Sequence, residues 1–208
     1  MKYVKLFESF INEKAIPFDD ILKDETQIGL ISNERKLNNV KSIRLVLYDF
    51  DDRRVMGYIF MKALNVSGNL FEVENTAAEK NYGPDIYDLG LMYIYPNKMK
   101  PDTLIKPEAL NLWKYYIENR EDVIKTKLST DDPEYSTRYE FDLTSDYRTD
   151  KENLDVINTV FSKEKNDFLN MLLEKGKLYL QKYNLKPQTI IEEADKYFTK
   201  RYYTPTTA

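Results

Sequence analysis

The sequence predicts an α+β fold, in which a mixed, mainly antiparallel sheet is flanked by helices and followed by a helical C-terminal part. Three observations predict it. Residues 42–75 hold three short segments rich in apolar side chains, the first of which alternates with the period of a half-buried strand. Residues 85–93 and 106–118 then carry apolar side chains at helical spacing. The region after residue 167 shows two further helical stripes.

The three predicted strands are separated by short polar turns, and this indicates an antiparallel meander. The first strand, residues 42–50, alternates between two faces. A turn of two Asp and two Arg residues leads to a second strand over residues 55–64, which is rich in β-branched and aromatic side chains. A glycine-bearing turn at residues 66–69 leads to a third strand over residues 70–75.

Helices are predicted before and after this meander. Pro84 and Pro107 each suit a first helical turn, where the missing N–H costs nothing. The stretch over residues 129–150 is polar and rich in Asp and Tyr, which indicates a long excursion from the core. The predicted helices span residues 3–14, 19–23, 85–93 and 106–118, with two more at the C-terminal end.

The length of 208 residues fits one main domain with appendages. We expect an amphipathic helix over residues 1–13 and a domain that carries the sheet over residues 14–150. Residues 151–208 are expected to form a helical extension packed on that domain.

The chain has neither His nor Cys, which excludes several classes of site. Ser-His-Asp and Cys-His nucleophile pairs, zinc sites built on His or Cys, iron–sulfur clusters and disulfides all require these residues. We expect no resident metal. General acid–base chemistry falls to Asp, Glu, Lys, Tyr or water.

Charge and hydropathy bear on the partners. The net charge of -4 does not favour nucleic acid as a partner. No apolar run approaches the roughly 20 residues of a membrane span, and residues 1–7 lack the features of a secretory signal. We therefore expect neither a membrane nor a nucleic-acid partner.

Asp49 and Asp51 form the first candidate site. They follow the first predicted strand and stand two residues apart, as do the nucleophilic and acid Asp residues of haloacid-dehalogenase-type phosphatases, which act with magnesium. Arg53 and Arg54 stand where that family has a small turn residue and Thr or Val. The alternative is a hairpin turn, in which Asp is common.

The turn before the helix at residues 85–93 is the second candidate site. A tight, glycine-bearing turn before a helix presents backbone N–H groups and the positive end of the helix dipole to an anion. A phosphate or pyrophosphate is therefore the expected ligand. The alternative is that the glycine only permits a turn between a strand and a helix, and that the turn binds no ligand. The residues concerned are Lys80, Asn81, Tyr82, Gly83, Pro84 and Asp85.

The order of these elements resembles that of the GNAT N-acetyltransferase domain, with three antiparallel strands, the turn and its helix, and then the helix that begins near Pro107. More specifically, residues 72–132 resemble a family of uncharacterised, acetyltransferase-like proteins of tailed bacteriophages, and residues 194–202 are similar to the C-terminal end of that family. The likeness is carried by residues 81–88, 99–102, 105–109, 113–116 and 119–123.

The resemblance implies a site for acetyl-CoA or CoA. In that fold the strand before the turn splays from its neighbour, the pantetheine arm pairs with the exposed strand edge, and the pyrophosphate lies on the turn. Val73 would then contact the pantetheine arm, and the six turn residues named above would hold the pyrophosphate. Glu74 is the candidate general base, and Glu72 lies on the same strand.

The chain departs from the family pattern at two places. The turn of the family has Arg or Gln, then Gly, then Gly or Ala at positions occupied here by Ala78, Asn81 and Gly83, and only Gly83 fits. The helix position that often carries a general-acid Tyr holds Trp113, whose indole cannot supply a proton to a thiolate. Tyr115 and Tyr116 are the candidate donors in its place, of which Tyr116 is preferred, and core packing is the alternative for Trp113 and Tyr116.

The N-terminal segment over residues 5–13 resembles the capsid-targeting peptides of internal head proteins in T-even-like phages. Those peptides join the prohead scaffold, and the prohead protease then cuts after a Leu/Ile-x-Glu tripeptide. Ile11, Asn12 and Glu13 match that tripeptide, which implies processing after Glu13. A first helix packed on the sheet is the alternative.

Together these resemblances predict a phage-encoded, acetyltransferase-like protein that is packaged in the capsid and delivered to the cytoplasm of a bacterial host. An active enzyme would transfer an acyl group from a CoA thioester to an amine. The alternative is a catalytically inactive protein on the same scaffold, which acts in the virion or inhibits a host defence protein.

Overall fold

The structure is a computed structural model that describes residues 27–65, 67–79, 82–142 and 146–202, with residues 197–202 as backbone only. The helices expected over residues 3–14 and 19–23 lie outside the described residues, as does the expected processing site at Glu13.

The fold is mixed α+β, as the sequence predicts, and its main sheet is largely antiparallel. Seven strands form this sheet in the order β1-β2-β3-β4-β5-β10-β7, and β6, β8 and β9 form a second, smaller sheet. The strands are β1 (Ile28–Leu37), β2 (Val40–Asp49), β3 (Arg54–Ala63), β4 (Leu70–Ala78), β5 (Lys98–Lys100), β6 (Leu104–Ile105), β7 (Ile124–Lys127), β8 (Tyr139–Phe141), β9 (Tyr147–Arg148) and β10 (Thr159–Ser162).

The described residues also form five helices, and none of these is long and apolar enough to cross a membrane. The two helices expected at residues 85–93 and 106–118 are confirmed as α1 and α2, and the two C-terminal helices as α4 and α5. The helices are α1 (Gly83–Ile94), α2 (Pro107–Asn119), α3 (Lys151–Ile157), α4 (Asp167–Lys182) and α5 (Pro187–Tyr202).

The expected three-stranded meander is confirmed as β2, β3 and β4, and β1 adds a fourth strand that the sequence did not predict. Two Asn residues at the turn between β1 and β2, Asn38 and Asn39, have φ angles of 49° and 65°. Such a left-handed pair is typical of a two-residue hairpin, because its twist matches that of the paired strands.

Helices cover both faces of the sheet and produce two apolar clusters. The larger cluster joins one face to α1, α2 and α4, and its largest fully buried side chain is Trp113. The smaller cluster joins the other face to α5 through residues such as Ile190 and Ala194. The Tyr58 hydroxyl also donates to the carboxylate of Asp195 on α5, at 2.5 Å, and this bond fixes the helix across the strands.

The region after residue 150 is not a purely helical extension. Its strand β10 lies inside the main sheet, between β5 and β7, and pairs antiparallel with both. Val160 and Phe161 are buried there, so the chain on both sides of residue 150 shares one core. The expected excursion over residues 129–150 contributes β8 and β9 to the small sheet.

The helix α4 packs so closely against β1 that the backbone of Gly176 lies against the backbone of Gly29. A Cβ atom added at Gly176 would lie 2.3 Å from the carbonyl oxygen of Leu30, and one added at Gly29 would lie 2.6 Å from the backbone nitrogen of Gly176. Backbone atoms cannot give way as the tip of a side chain can. Glycine is therefore required here for packing, although it is a poor helix former in isolation.

Replacement of Gly176 by Ala is expected to lower the free energy of unfolding by about 2 kcal/mol, because the overpacking cost exceeds the roughly 1 kcal/mol that Ala contributes to helix stability. Urea denaturation checks this. Leu178→Ala is the control, since Leu178 lies in the same helix and is 59% exposed. A stabilised Gly176→Ala variant would contradict the close approach of α4 and β1.

Candidate active site

The main sheet opens between β4 and β5. These two strands run parallel, and they pair only through residues Leu70, Phe71 and Glu72 of β4 and their partners on β5, which are Lys98, Met99 and Lys100. β4 continues to Ala78 and remains paired with β3 on its other side. The last six residues of β4 therefore have a backbone edge with which β5 does not pair. We call the point where the pairing ends, at Glu72 and Lys100, the vertex of the opening.

The opening has a local cause in the chain after β5. Pro101 follows Lys100 directly and has no N–H to continue the ladder. The carboxylate of Asp102 then accepts from the backbone N–H of Leu104 at 2.9 Å and so forms a local turn. Leu104 and Ile105 form β6, which pairs with β8 in the small sheet. The sequence prediction gives no such role to Pro101 or Asp102, although a Pro directly after a strand often marks the end of its pairing.

A β-bulge lies on the open part of β4. The register with β3 passes from Met61 opposite Val73 to Phe60 opposite Asn75, so that Glu74 is the additional residue. Glu74 is exposed, and its carboxylate lies 3.3 Å from Lys62 Nζ. Val73 is buried.

Glu72 lies at the vertex, where the pairing of β4 with β5 ends, directly opposite Lys100 on β5. Burial raises the pKa of Glu72 to about 7, and the neighbouring charge of Asp102 adds to the effect. No described residue forms a hydrogen bond or an ion pair with its carboxylate. The vertex thus holds a carboxyl group that can exchange a proton near neutral pH.

Lys100 holds a neighbouring loop in place at the vertex. Its side chain is 3% exposed, and burial lowers its pKa. Its Nζ donates to the carbonyl oxygen of Glu134 at 2.7 Å and lies 2.8 Å from the hydroxyl of Ser136. The side-chain amide of Asn158 holds Ser136 by both backbone groups, at 2.7 Å and 2.8 Å. The loop that contains Glu134 and Ser136 is therefore tied to β5 and to the residue before β10.

The turn that leads from β4 to α1 is described only in part. Lys80 and Asn81 lie outside the described residues. Tyr82 is the N-cap of α1, Gly83 and Pro84 begin the helix, and no side chain caps it. The first intrahelical hydrogen bond runs from the N–H of Ile86 to the carbonyl of Tyr82, at 3.1 Å. The start of α1 therefore has no side-chain cap, but Gly83, Pro84 and Asp85 are all buried and Pro84 has no N–H to donate.

A charged cluster is buried below this helix start, around Asp88 of α1. The Asp88 carboxylate accepts from Arg120 Nη2 at 2.6 Å and from Lys163 Nζ at 2.7 Å. Asp122 accepts from the same two cations, at 2.8 Å and 2.7 Å, and its hydrogen bond with Arg120 lowers its pKa. Two carboxylates thus face two cations, and the cluster joins α1, the segment after α2 and the segment after β10.

Tyr116 belongs to this cluster and is not placed to serve a substrate. It is fully buried, and its hydroxyl lies 2.5 Å from Asp88 Oδ1 and 3.1 Å from the carbonyl oxygen of Pro84. Burial raises its pKa well above 10, and the charge of Asp88 adds to this. Trp113 is likewise packed in the core, against Phe161 with ring centroids 4.5 Å apart. The packing interpretation therefore suits both aromatic residues.

Asp85 lies one turn before Asp88 on α1 and differs from it in its contacts. Asp85 is 3% exposed, and its Oδ2 atom has no hydrogen-bond partner. Burial raises its pKa to about 8, and the charge of Asp88 contributes. The side chain is therefore a neutral acid at pH 7, in the first turn of the helix.

Asp49 and Asp51 lie at a hairpin turn between β2 and β3, as the alternative interpretation of this pair predicts. β2 ends at Asp49 and β3 begins at Arg54, in antiparallel pairing. The Asp49 carboxylate accepts from the backbone N–H groups of Asp51 and Asp52, at 3.0 Å and 3.2 Å, and so closes its own turn. Within the described ranges, no three acidic side chains are grouped as they would be around a metal ion.

Comparisons of the chain with protein-family models, with curated proteins and with solved structures find no match.

The two buried Asp residues of α1 provide a matched pair for stability. Asp88→Asn is expected to lower the free energy of unfolding by about 3 kcal/mol, because it leaves two buried cations with one carboxylate. Asp85→Asn is expected to have the opposite sign. The folded pKa of Asp85 lies above the ordinary value of 3.8, so the wild type loses stability as the pH rises from about 4 to about 8.

The advantage of Asp85→Asn over the wild type should therefore grow across that pH interval by about 6 kcal/mol and then level off. Thermal and urea unfolding at pH 5, 7 and 9 measure it. Equal destabilisation by both variants at pH 9 would contradict the neutral form of Asp85.

Proposed function

We propose that this chain is a GNAT-like, acyl-CoA-binding protein of phage origin that transfers an acyl group to an amine. The observation that carries the proposal is the opening of the sheet between β4 and β5 beside the uncapped start of α1. The order of elements after the meander, and the resemblance over residues 72–132, support the same assignment.

The opening has groups that would bind two parts of CoA, the pantetheine arm and the pyrophosphate. The edge of β4 from Val73 onward offers backbone N–H and C=O groups to the amides of a pantetheine arm, as an added strand would pair. The start of α1 at Gly83 offers N–H groups and the helix dipole to a pyrophosphate. A bound acetyl-CoA would supply the acyl group as an activated thioester.

The vertex of the opening supplies the base. Glu72 is preferred to Glu74, because Glu74 is exposed and paired with Lys62. Burial raises the pKa of Glu72 to about 7, and its carboxylate has no hydrogen bond or ion pair with a described residue. Glu72 would take a proton from the ammonium group of the substrate, directly or through one water, and the resulting neutral amine would attack the thioester carbonyl. The C–N bond forms and the C–S bond then breaks. The second proton lost by the nitrogen passes through water to the departing thiolate, since Tyr116 is held in the core.

Calorimetric titration of the full chain with CoA tests the site. We expect binding in the micromolar range. Gly83→Glu should abolish it, because a carboxylate at the helix start opposes the pyrophosphate. Ser67→Glu adds the same charge at the other end of β4 and should bind as the wild type does.

Absence of binding at millimolar CoA, with the wild type folded by circular dichroism, would contradict the acyltransferase. It would favour the alternative of a binding protein on the same scaffold, acting in the virion or on a host defence protein. Loss of binding in both Glu variants would show that the effect of Gly83→Glu is not local.

The base assignment is tested by substitution of neighbouring residues on β4. Thiol release from acetyl-CoA with a panel of primary amines should fall about 100-fold in Glu72→Gln and less than twofold in Glu74→Gln. The wild-type rate should rise with pH through about 7, and Glu72→Gln should lose this rise. A larger loss in Glu74→Gln would place the base at the bulge.

We propose that the N-terminal segment directs the chain into the capsid and is removed there. The support is the sequence of residues 5–13, which ends in the tripeptide Ile11, Asn12 and Glu13. Mass spectrometry of the protein recovered from purified particles should find Lys14 at the N-terminus. Glu13→Ala should leave the segment attached, and an intact wild-type chain in the particles would contradict the proposal.

A further inference from the structure

A buried acid lies in the first turn of α1, directly behind the helix start that the proposed function assigns to a pyrophosphate. Asp85 is only 3% exposed, and its Oδ2 atom accepts no hydrogen bond. An unpaired buried carboxyl oxygen is rare, and it calls for a physical explanation.

The surrounding charges explain why Asp85 is kept neutral. The two cations nearby, Arg120 and Lys163, are each bound to Asp88 and Asp122, which balance their charge. These are the two cations whose charge acts on Asp85, and each already has two carboxylate partners. The groups that face Asp85 are Tyr82 before α1, Asp88 on α1, Tyr116 on α2, Arg120 after α2 and Lys163 after β10.

We propose that Asp85 couples anion binding at the start of α1 to its own protonation. The helix start accepts a diphosphate while Asp85 is a neutral acid, and it loses affinity when Asp85 gives up its proton. The inference rests on the proposed function, because it concerns the same pyrophosphate site.

The direction follows from electrostatics. An ionised carboxylate in the first turn cancels part of the positive potential of the helix end and repels the diphosphate. Bound diphosphate in turn raises the pKa of Asp85 further, above its value of about 8 in the free protein, so binding near pH 8 takes up a proton. Affinity should therefore be highest below pH 8 and fall above it.

The probe is dephospho-CoA, whose diphosphate charge is constant across the range used. Calorimetric titrations of the full chain are run at pH 7, 8 and 9 with the wild type and with Asp85→Asn, which has the same shape and does not titrate. We expect wild-type affinity to fall about tenfold from pH 7 to pH 9, and Asp85→Asn affinity to change less than twofold.

A second measurement needs no variant. Wild-type titrations at pH 8 in two phosphate-free buffers of different ionisation enthalpy should show proton uptake on binding. Equal pH profiles for both proteins, or no proton uptake, would overturn the coupling and leave the proposed site intact. No binding by either protein at pH 7 would overturn both the coupling and the site, so the two failures are distinguishable.

Discussion

The structure depends on one interruption of hydrogen bonding, the end of the ladder between β4 and β5 at Glu72 and Lys100. The pairing ends where β5 itself ends, at Lys100. Pro101 cannot donate, and the chain then forms β6 in the small sheet, while β4 goes on for six more residues. The edge of β4 beyond Glu72 is therefore not paired with β5.

The elements around the opening are held together by polar contacts. The cluster of Asp88, Arg120, Asp122 and Lys163 joins α1 to the segments after α2 and β10. Lys100 and Asn158 hold the loop at the vertex. Removal of one partner from such a group leaves a charge without its counter-charge, so these contacts favour one arrangement of the elements.

The sequence predicts the strands and helices whose apolar periodicity is visible within the element itself. It does not predict the strands that form only through contacts with residues distant in the chain. The meander β2–β4 and the helices α1, α2, α4 and α5 follow from periodicity. β1 was missed because Ile28 to Ile31 are buried on both faces, between α4 and α5, so no alternation marks them. The strand β10 was not predicted because four residues next to a short helix carry too little pattern. The bulge at Glu74 depends on the register with β3, which cannot be read from composition.

Residue-resolved amide hydrogen exchange of β4 tests the central claim most directly. With CoA bound, the amides of Val73–Ala78 that point toward the opening should gain protection, while those that face β3 stay unchanged. ADP, which lacks the pantetheine arm, should protect only the start of α1. Binding of CoA without any protection along the open edge of β4 would contradict the account.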